Sequence, residues 1–197
     1  MRYDAEHKEK TRQRVLKEAA KAIRAEGPDR IAVAGIMAKV GLTHGGFYAH
    51  FKSKDELVAH SIEQMFTDAG RRFDRSIQDL SPRDGLIAYI DFYLSPAHRE
   101  SRDVGCPLAA LSADLPRMPD EARQGFGRGV AALTGRLADQ LRAVGYDEPE
   151  TLAPSILSEL VGALSLSRAV PDQAQSDAFL DRSRAAVKRR LGLEQTS

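Results

Sequence analysis

Tryptophan is absent from the 197 residues, and cysteine occurs once, at Cys106. A lone cysteine excludes an intrachain disulfide and fits a reducing compartment, so a cytoplasmic location is expected. Long hydrophobic runs are missing as well. Even Ile31–Met37, with its small residues, falls far short of a membrane span, and no membrane partner is expected. Met1–Lys10 is polar and charged, so no secretory leader is expected. Alternating β-branched stretches do not occur, and no period of 20–50 residues repeats, which argues against sheets and solenoids. A Gly-x-Ser-x-Gly elbow, a Walker loop and a zinc-type His/Glu pair are all wanting. An enzyme is therefore not expected, nor a cofactor or a metal.

What is present describes an ordinary globular chain, 42% hydrophobic and 29% charged, long enough for one large or two small cores. The net charge of +1 conceals an asymmetry. Residues 1–54 hold 12 Lys/Arg against 6 Asp/Glu, a net of +6, and residues 55–197 hold 17 against 22, a net of −5. One end thus suits a polyanion and the remainder would repel it. A solvated basic helix would give the same imbalance, so the charge split does not decide the function.

Helical spacing runs through the whole chain, which predicts an all-α fold of about nine helices. A first helix is expected over Ala5–Ala25, with Val15, Leu16, Ala19, Ala22 and Ile23 on its apolar face and Gly27-Pro28 as its stop. A short helix over Ala32–Lys39 precedes a tight turn at Val40-Gly41-Leu42. Another short helix is expected over Thr43–Phe51, where Phe47 and Phe51 sit four apart and can pack inward. Ser53-Lys54-Asp55-Glu56 reads as a capping box opening a long helix that carries Leu57, Ile62, Phe66, Phe73 and Ile77. Ser81-Pro82 opens the next helix. Pro96–Val104 is expected as a polar connector, and Cys106–Leu115 as a short helix closed by Pro116. Long helices over Pro119–Val144, Pro149–Val170 and Gln173–Leu191 complete the set, with Pro154 expected to give the second an irregular or late start. Gly125-Phe126-Gly127-Arg128-Gly129 lacks a preceding strand and reads as a place where helices pack closely.

Two short helices joined by a glycine-containing turn, behind a basic first helix, describe a helix-turn-helix unit. Its second helix must expose its start so that side chains can reach base edges in a major groove. Thr43, His44, Gly45 and Gly46 occupy that start. The glycines let backbone approach DNA, and Thr43 and His44 can hydrogen-bond to it. Tyr48, His50 and Lys54 lie where phosphate oxygens would pass. Phe47 and Phe51 read as core aromatics.

The pattern Thr11-Arg12, Arg14-Val15-Leu16, Ala19-Ala20, Gly27, Val33, Ile36, Gly41-Leu42-Thr43, Gly45, Phe47-Tyr48, His50-Phe51, Ser53-Lys54 and Leu57 resembles the DNA-binding domain of the TetR family of one-component repressors. The resemblance covers about residues 8–58. It implies that Thr43, His44, Gly46, Tyr48, His50 and Lys54 line double-stranded operator DNA. Ile31 stands where that family usually has Thr, Ala34 where a polar residue is frequent, His44 where Lys is frequent, and His50 where Tyr is frequent. The operator sequence is accordingly left open.

The resemblance further implies a helix-turn-helix domain over residues 1–53 and a ligand-sensing and dimerisation domain over 54–197. Ile156, Leu157, Leu160, Val161, Leu164 and Leu166 spread round much of their helix, so two faces need burial. With Phe179, Leu180, Val187 and Leu191 they describe either a four-helix homodimer interface or a single-chain core. The expected dimer residues are Leu157, Leu160, Val161, Leu164, Phe179 and Val187. For an unidentified small-molecule effector, Phe66, Phe73, Tyr89, Phe92, Tyr93, Leu108, Leu111 and Phe126 are the candidate lining. Cys106, at an expected helix start and near Arg99 and Arg102 in sequence, reads either as a reactive thiol that senses electrophiles or as a small buried residue. The rival to a regulator is a helical ligand-binding or adaptor protein whose DNA domain has decayed.

Overall fold

The first helix, α1 (Arg2–Glu26), stops because Gly27 takes φ +90° and Pro28 follows it. This computed structural model describes residues 2–194, with side chains from Glu6 onward. Every regular element among the described residues is helical. After α1 come α2 (Val33–Lys39), a 3-10 segment (His44–Ala49), α3 (Lys54–Ile77), α4 (Pro82–Tyr93), α5 (Pro96–Glu100) and α6 (Pro107–Leu111). A second 3-10 segment (Leu115–Arg117) leads into α7 (Asp120–Val144), α8 (Pro149–Ala169) and α9 (Gln173–Arg190).

Local chemistry sets most of the boundaries. The Ser53 hydroxyl accepts the Glu56 N–H at 3.1 Å, and the Glu56 carboxylate reaches back to the Lys52 N–H, one residue earlier than a standard capping box would place it. Ser81 caps α4 through the Asp84 N–H at 3.1 Å, with Pro82 at the first helical position. Gly145 closes α7 in the left-handed region, with φ 102°.

Helix α3 is the hub. It packs on α1 with one face and on α4 and α7 with others, while α7 meets α8 and α8 lies along α9. Val15, Leu16 and Ile23 of α1 are buried with Leu57, Ile62 and Met65 of α3, so the apolar stripe of α1 continues into one core shared with the later helices.

Three expectations need correction. The polar connector after Pro96 is a helical turn, α5, because Ser95 caps it by accepting the His98 N–H at 3.1 Å. The expected helix over Cys106–Leu115 ends at Leu111 and resumes as a 3-10 turn. Pro154 does not delay α8, which runs unbroken from Pro149; the ring points to an exposed side and removes one backbone donor.

Candidate nucleic-acid interface

The turn between α2 and the 3-10 segment closes on two backbone bonds, Gly41 N–H to Ala38 O at 3.0 Å and Leu42 N–H to Met37 O at 2.9 Å. Gly41 has φ +74°, a conformation that a side chain would strain. The expected helix over Thr43–Phe51 is tighter and shorter than an α-helix. Its bonds span three residues, as from Gly46 N–H to Thr43 O at 3.1 Å and from His50 N–H to Phe47 O at 2.9 Å. Adjacent Gly45 and Gly46 disfavour the α form, and Gly41 has already turned the chain.

Burial sorts the segment into anchors and an outward face. Phe47 and Phe51 are buried, with ring centroids 5.6 Å apart, and the Arg12 guanidinium lies 4.9 Å above the Phe51 ring. Tyr48 is 67% exposed, with its ring edge-on to His44. Thr43, His44 and Gly45 are exposed, and the Thr43 hydroxyl caps nothing. A Cβ at Gly45 would meet nothing within 4 Å. Nothing in this chain's own packing therefore demands glycine there.

Gly46 and His50 are half-buried. His50 Nδ1 has no partner, and burial, then nearby Lys8 and Arg12, push the ring below its ordinary pKa, so it is neutral at physiological pH. Lys54 donates to the Asp29 carbonyl at 3.0 Å, which ties the start of α3 to the α1–α2 loop while leaving two ammonium protons available.

Farther along the chain, Phe73, Tyr89, Phe92, Tyr93 and Cys106 surround one cavity, together with Arg72, His98 and Leu133. Its volume is about 20 Å³, room for a single water molecule. The other expected lining residues do not face it. Phe66 and Phe126 pack edge-to-face at 5.2 Å near Gly129, and Leu108 and Leu111 are buried beneath α8. Composition alone does not distinguish a cavity wall from core.

Cys106 is 5% exposed. Arg99 and Arg102, its neighbours in sequence, are turned away: Arg99 binds Ser176 and Asp177, and Arg102 donates to the Arg168 carbonyl. The cations within electrostatic reach of Cys106 are Arg24, Arg72 and Arg168, from three different helices. His98 belongs to no motif in the sequence. It is buried, and burial pushes its pKa down to about 4, so Nδ1–H donates to the Tyr93 carbonyl at 2.8 Å while Nε2 accepts from the Cys106 N–H. The Ser95-Pro96 pair, the same signal that opens α4, would have placed it on a helix.

Of the expected dimer residues, Leu157, Leu160, Leu164 and Val187 are buried inside the single chain and have no area to offer a partner. Val161 is half-buried and Phe179 is 38% exposed. Leu166, also on α8, is 51% exposed.

Comparison with known proteins agrees with this geometry. Residues 15–60 match the family described as bacterial regulatory proteins, tetR family. An uncharacterized HTH-type transcriptional regulator, YfiR of Bacillus subtilis (strain 168), is 27% identical over 106 residues, 54% of this chain and 50% of that protein. The match thus spans about half the length of that curated relative. The reduced form of NemR from E. coli superposes with a TM-score of 0.80 at 20% identity, covering 91% of this chain and 96% of that one. A TetR transcriptional regulator from Chloroflexus aurantiacus superposes at 0.76 with 23% identity, over 95% and 96% of the two chains. These likenesses establish a shared fold. Over residues 15–60, which hold the helix-turn-helix segment, the chain is similar to the tetR family of bacterial regulatory proteins.

Proposed function

We propose that the protein is a transcription regulator whose Thr43–His50 segment lies against duplex DNA, presented twice by a homodimer. The observation that carries this reading is the division of the segment. Phe47 and Phe51 fix it to the core, while Thr43, His44, Gly45 and Tyr48 face outward, with Tyr48 packed edge-on to Phe47 and His44. Thr43 and His44 offer donors and acceptors to base edges, and Tyr48, His50 and Lys54 reach phosphate oxygens.

The dimer reading rests on the outer surface of α8 and α9. Leu166 of α8 and Phe179 of α9 are exposed, and Ala174, Ala178 and Phe179 shape an open groove of about 570 Å³ along α9. Pairing of those faces would set two heads at half-sites about 34 Å apart or a multiple of that. Release from DNA would follow a two-state change in which α3 moves the heads, driven by an effector or by modification of Cys106. The cavity beside Cys106 is too small for an added group, so modification would displace Tyr93 or Phe73 and press on α3 and α4. Such coupling needs about 1–3 kcal/mol. In this reading the protein acts as a repressor.

The deciding measurement is fluorescence anisotropy with DNA from upstream of the protein's own gene, against scrambled DNA, at rising salt. Sequence-selective binding that weakens steeply with salt is expected. Equal affinity for both DNAs would reject the reading. Alkylation of Cys106 in the same assay should lower affinity, and unchanged binding after complete modification would remove the thiol from the mechanism.

A further inference from the structure

A sizeable open concavity lies along α1. It is a cleft of about 710 Å³ between α1 and α3, at the junction of the two domains. Its size is that of a small-molecule site. Lys17, Lys21 and Arg24 come from the α1 wall, and Arg71, Arg72 and Arg75 from the α3 wall. Three carboxylates, Glu18, Asp68 and Asp74, share the lining.

Each carboxylate is already committed. Glu18 holds Lys21 at 2.7 Å, and Asp74 accepts from Arg136 at 3.2 Å. Asp68 accepts from Gln64 at 2.9 Å and stands 3.9 Å from both Arg24 and Arg71. Among the described residues, Lys17, Arg72 and Arg75 are therefore left without a carboxylate partner, one on the first wall and two on the second. Arg72 is half-buried, and desolvation pushes its guanidinium below the ordinary pKa, as expected for a cation lacking full compensation. Arg24 is buried, brought down to about 10 by the same desolvation, and its Nε has no acceptor. Val104, 39% exposed, supplies an apolar edge.

A cleft with uncompensated cations on both walls lacks a counter-ion, not a base pair. We infer that the α1–α3 cleft is a binding site for a compact organic polyanion, held between Lys17 on one wall and Arg72 and Arg75 on the other. Guanidinium groups bind carboxylate and phosphate alike, in charge-assisted and often bidentate bonds. Bound there, the anion ties the N-terminal domain to the larger one and restrains the angle between them.

Isothermal calorimetry on the full chain, without DNA, tests this with citrate and with pyrophosphate at ionic strength matched by sodium chloride. Saturable binding of at least one is expected, and which one binds identifies a carboxylate or a phosphate ligand. Arg72→Gln combined with Arg75→Gln should weaken it by about tenfold or more. Arg117→Gln combined with Arg123→Gln, which removes the same charge from exposed positions elsewhere, should leave it unchanged. No saturable heat beyond that of sodium chloride, or equal loss in both double variants, would overturn the proposal. So would full retention in the cleft variant. Because no DNA is present, the result stands apart from the fate of the operator reading.

Discussion

The Nε2 atom of His98 accepts a hydrogen bond from the Cys106 backbone N–H at 3.2 Å. The opposite ring nitrogen donates to Tyr93, so one neutral imidazole joins the end of α4 to the turn before α6. The ring is stacked on Phe92 and meets Tyr93 edge-on. Protonation would replace the Nε2 acceptor with a second donor facing an N–H, inside a desolvated site.

That arrangement fixes a pH dependence. The folded pKa of His98 is about 4, against about 6.5 for an unfolded histidine. Between those values the unfolded chain binds the proton and the folded chain does not, so stability rises with pH across the window. The contribution is complete above pH 6.5 and is lost as the pH falls toward 4, by about 3 kcal/mol at most. Urea unfolding from pH 7.5 to 4.5 should show this loss. His98→Asn should be weaker at neutral pH by about 1–3 kcal/mol and should lack this part of the slope. Parallel curves for the two proteins would refute the assignment.

A second expectation concerns two glycines of α7 that look equivalent in sequence. A Cβ on Gly129 would come within 2.1 Å of the Phe66 ring, whereas a Cβ on Gly127 would meet nothing within 4 Å. Phe66 is buried on α3, so the ring cannot simply swing into solvent. Gly129→Ala should therefore destabilise by about 1–3 kcal/mol. Gly127→Ala should stabilise by about 0.5–1 kcal/mol, because alanine favours a helix interior. Thermal unfolding of the pair reads the contrast directly, and equal effects would contradict the packing.

The same glycines show where sequence reading succeeds and stops. Their spacing announces close helix packing, but which of them carries it depends on how α3 lies across α7, a long-range fact. Ser53 and Ser81 announce their helices because capping is local chemistry. Phe47 and Phe51 are legible as anchors from a four-residue spacing. The cavity around Cys106 is not legible in this way: Phe66 and Phe73 share the same helix and the same pattern, yet only Phe73 faces it. Leu160 and Phe179 likewise looked equivalent as dimer contacts, and only Phe179 keeps an exposed surface.

Lys54 offers a prediction with two readouts. Its ammonium donates to the Asp29 carbonyl and leaves two protons for an outside acceptor. Lys54→Met should cost about 0.5–1.5 kcal/mol of stability through the lost bond. It should also lower the salt slope of DNA binding by about one, the signature of one phosphate contact. A stability loss with an unchanged slope would confine Lys54 to a structural part.

The sharpest test of the interface uses Gly45, because the chain itself makes no demand there. Its φ is not positive, and a methyl group would project into open space, so Gly45→Ala should fold as the parent does. If DNA lies against the segment, that methyl group stands between backbone and duplex. Affinity for operator DNA should then fall by about tenfold, or ~1.4 kcal/mol, with unfolding unchanged. A larger side chain, as in Gly45→Leu, should deepen the loss in proportion to its size while stability still holds. Titration of both variants beside the parent separates the possibilities. Graded weakening places the backbone of Gly45 at a surface that only DNA supplies, and undiminished affinity in the leucine variant would place the contact elsewhere.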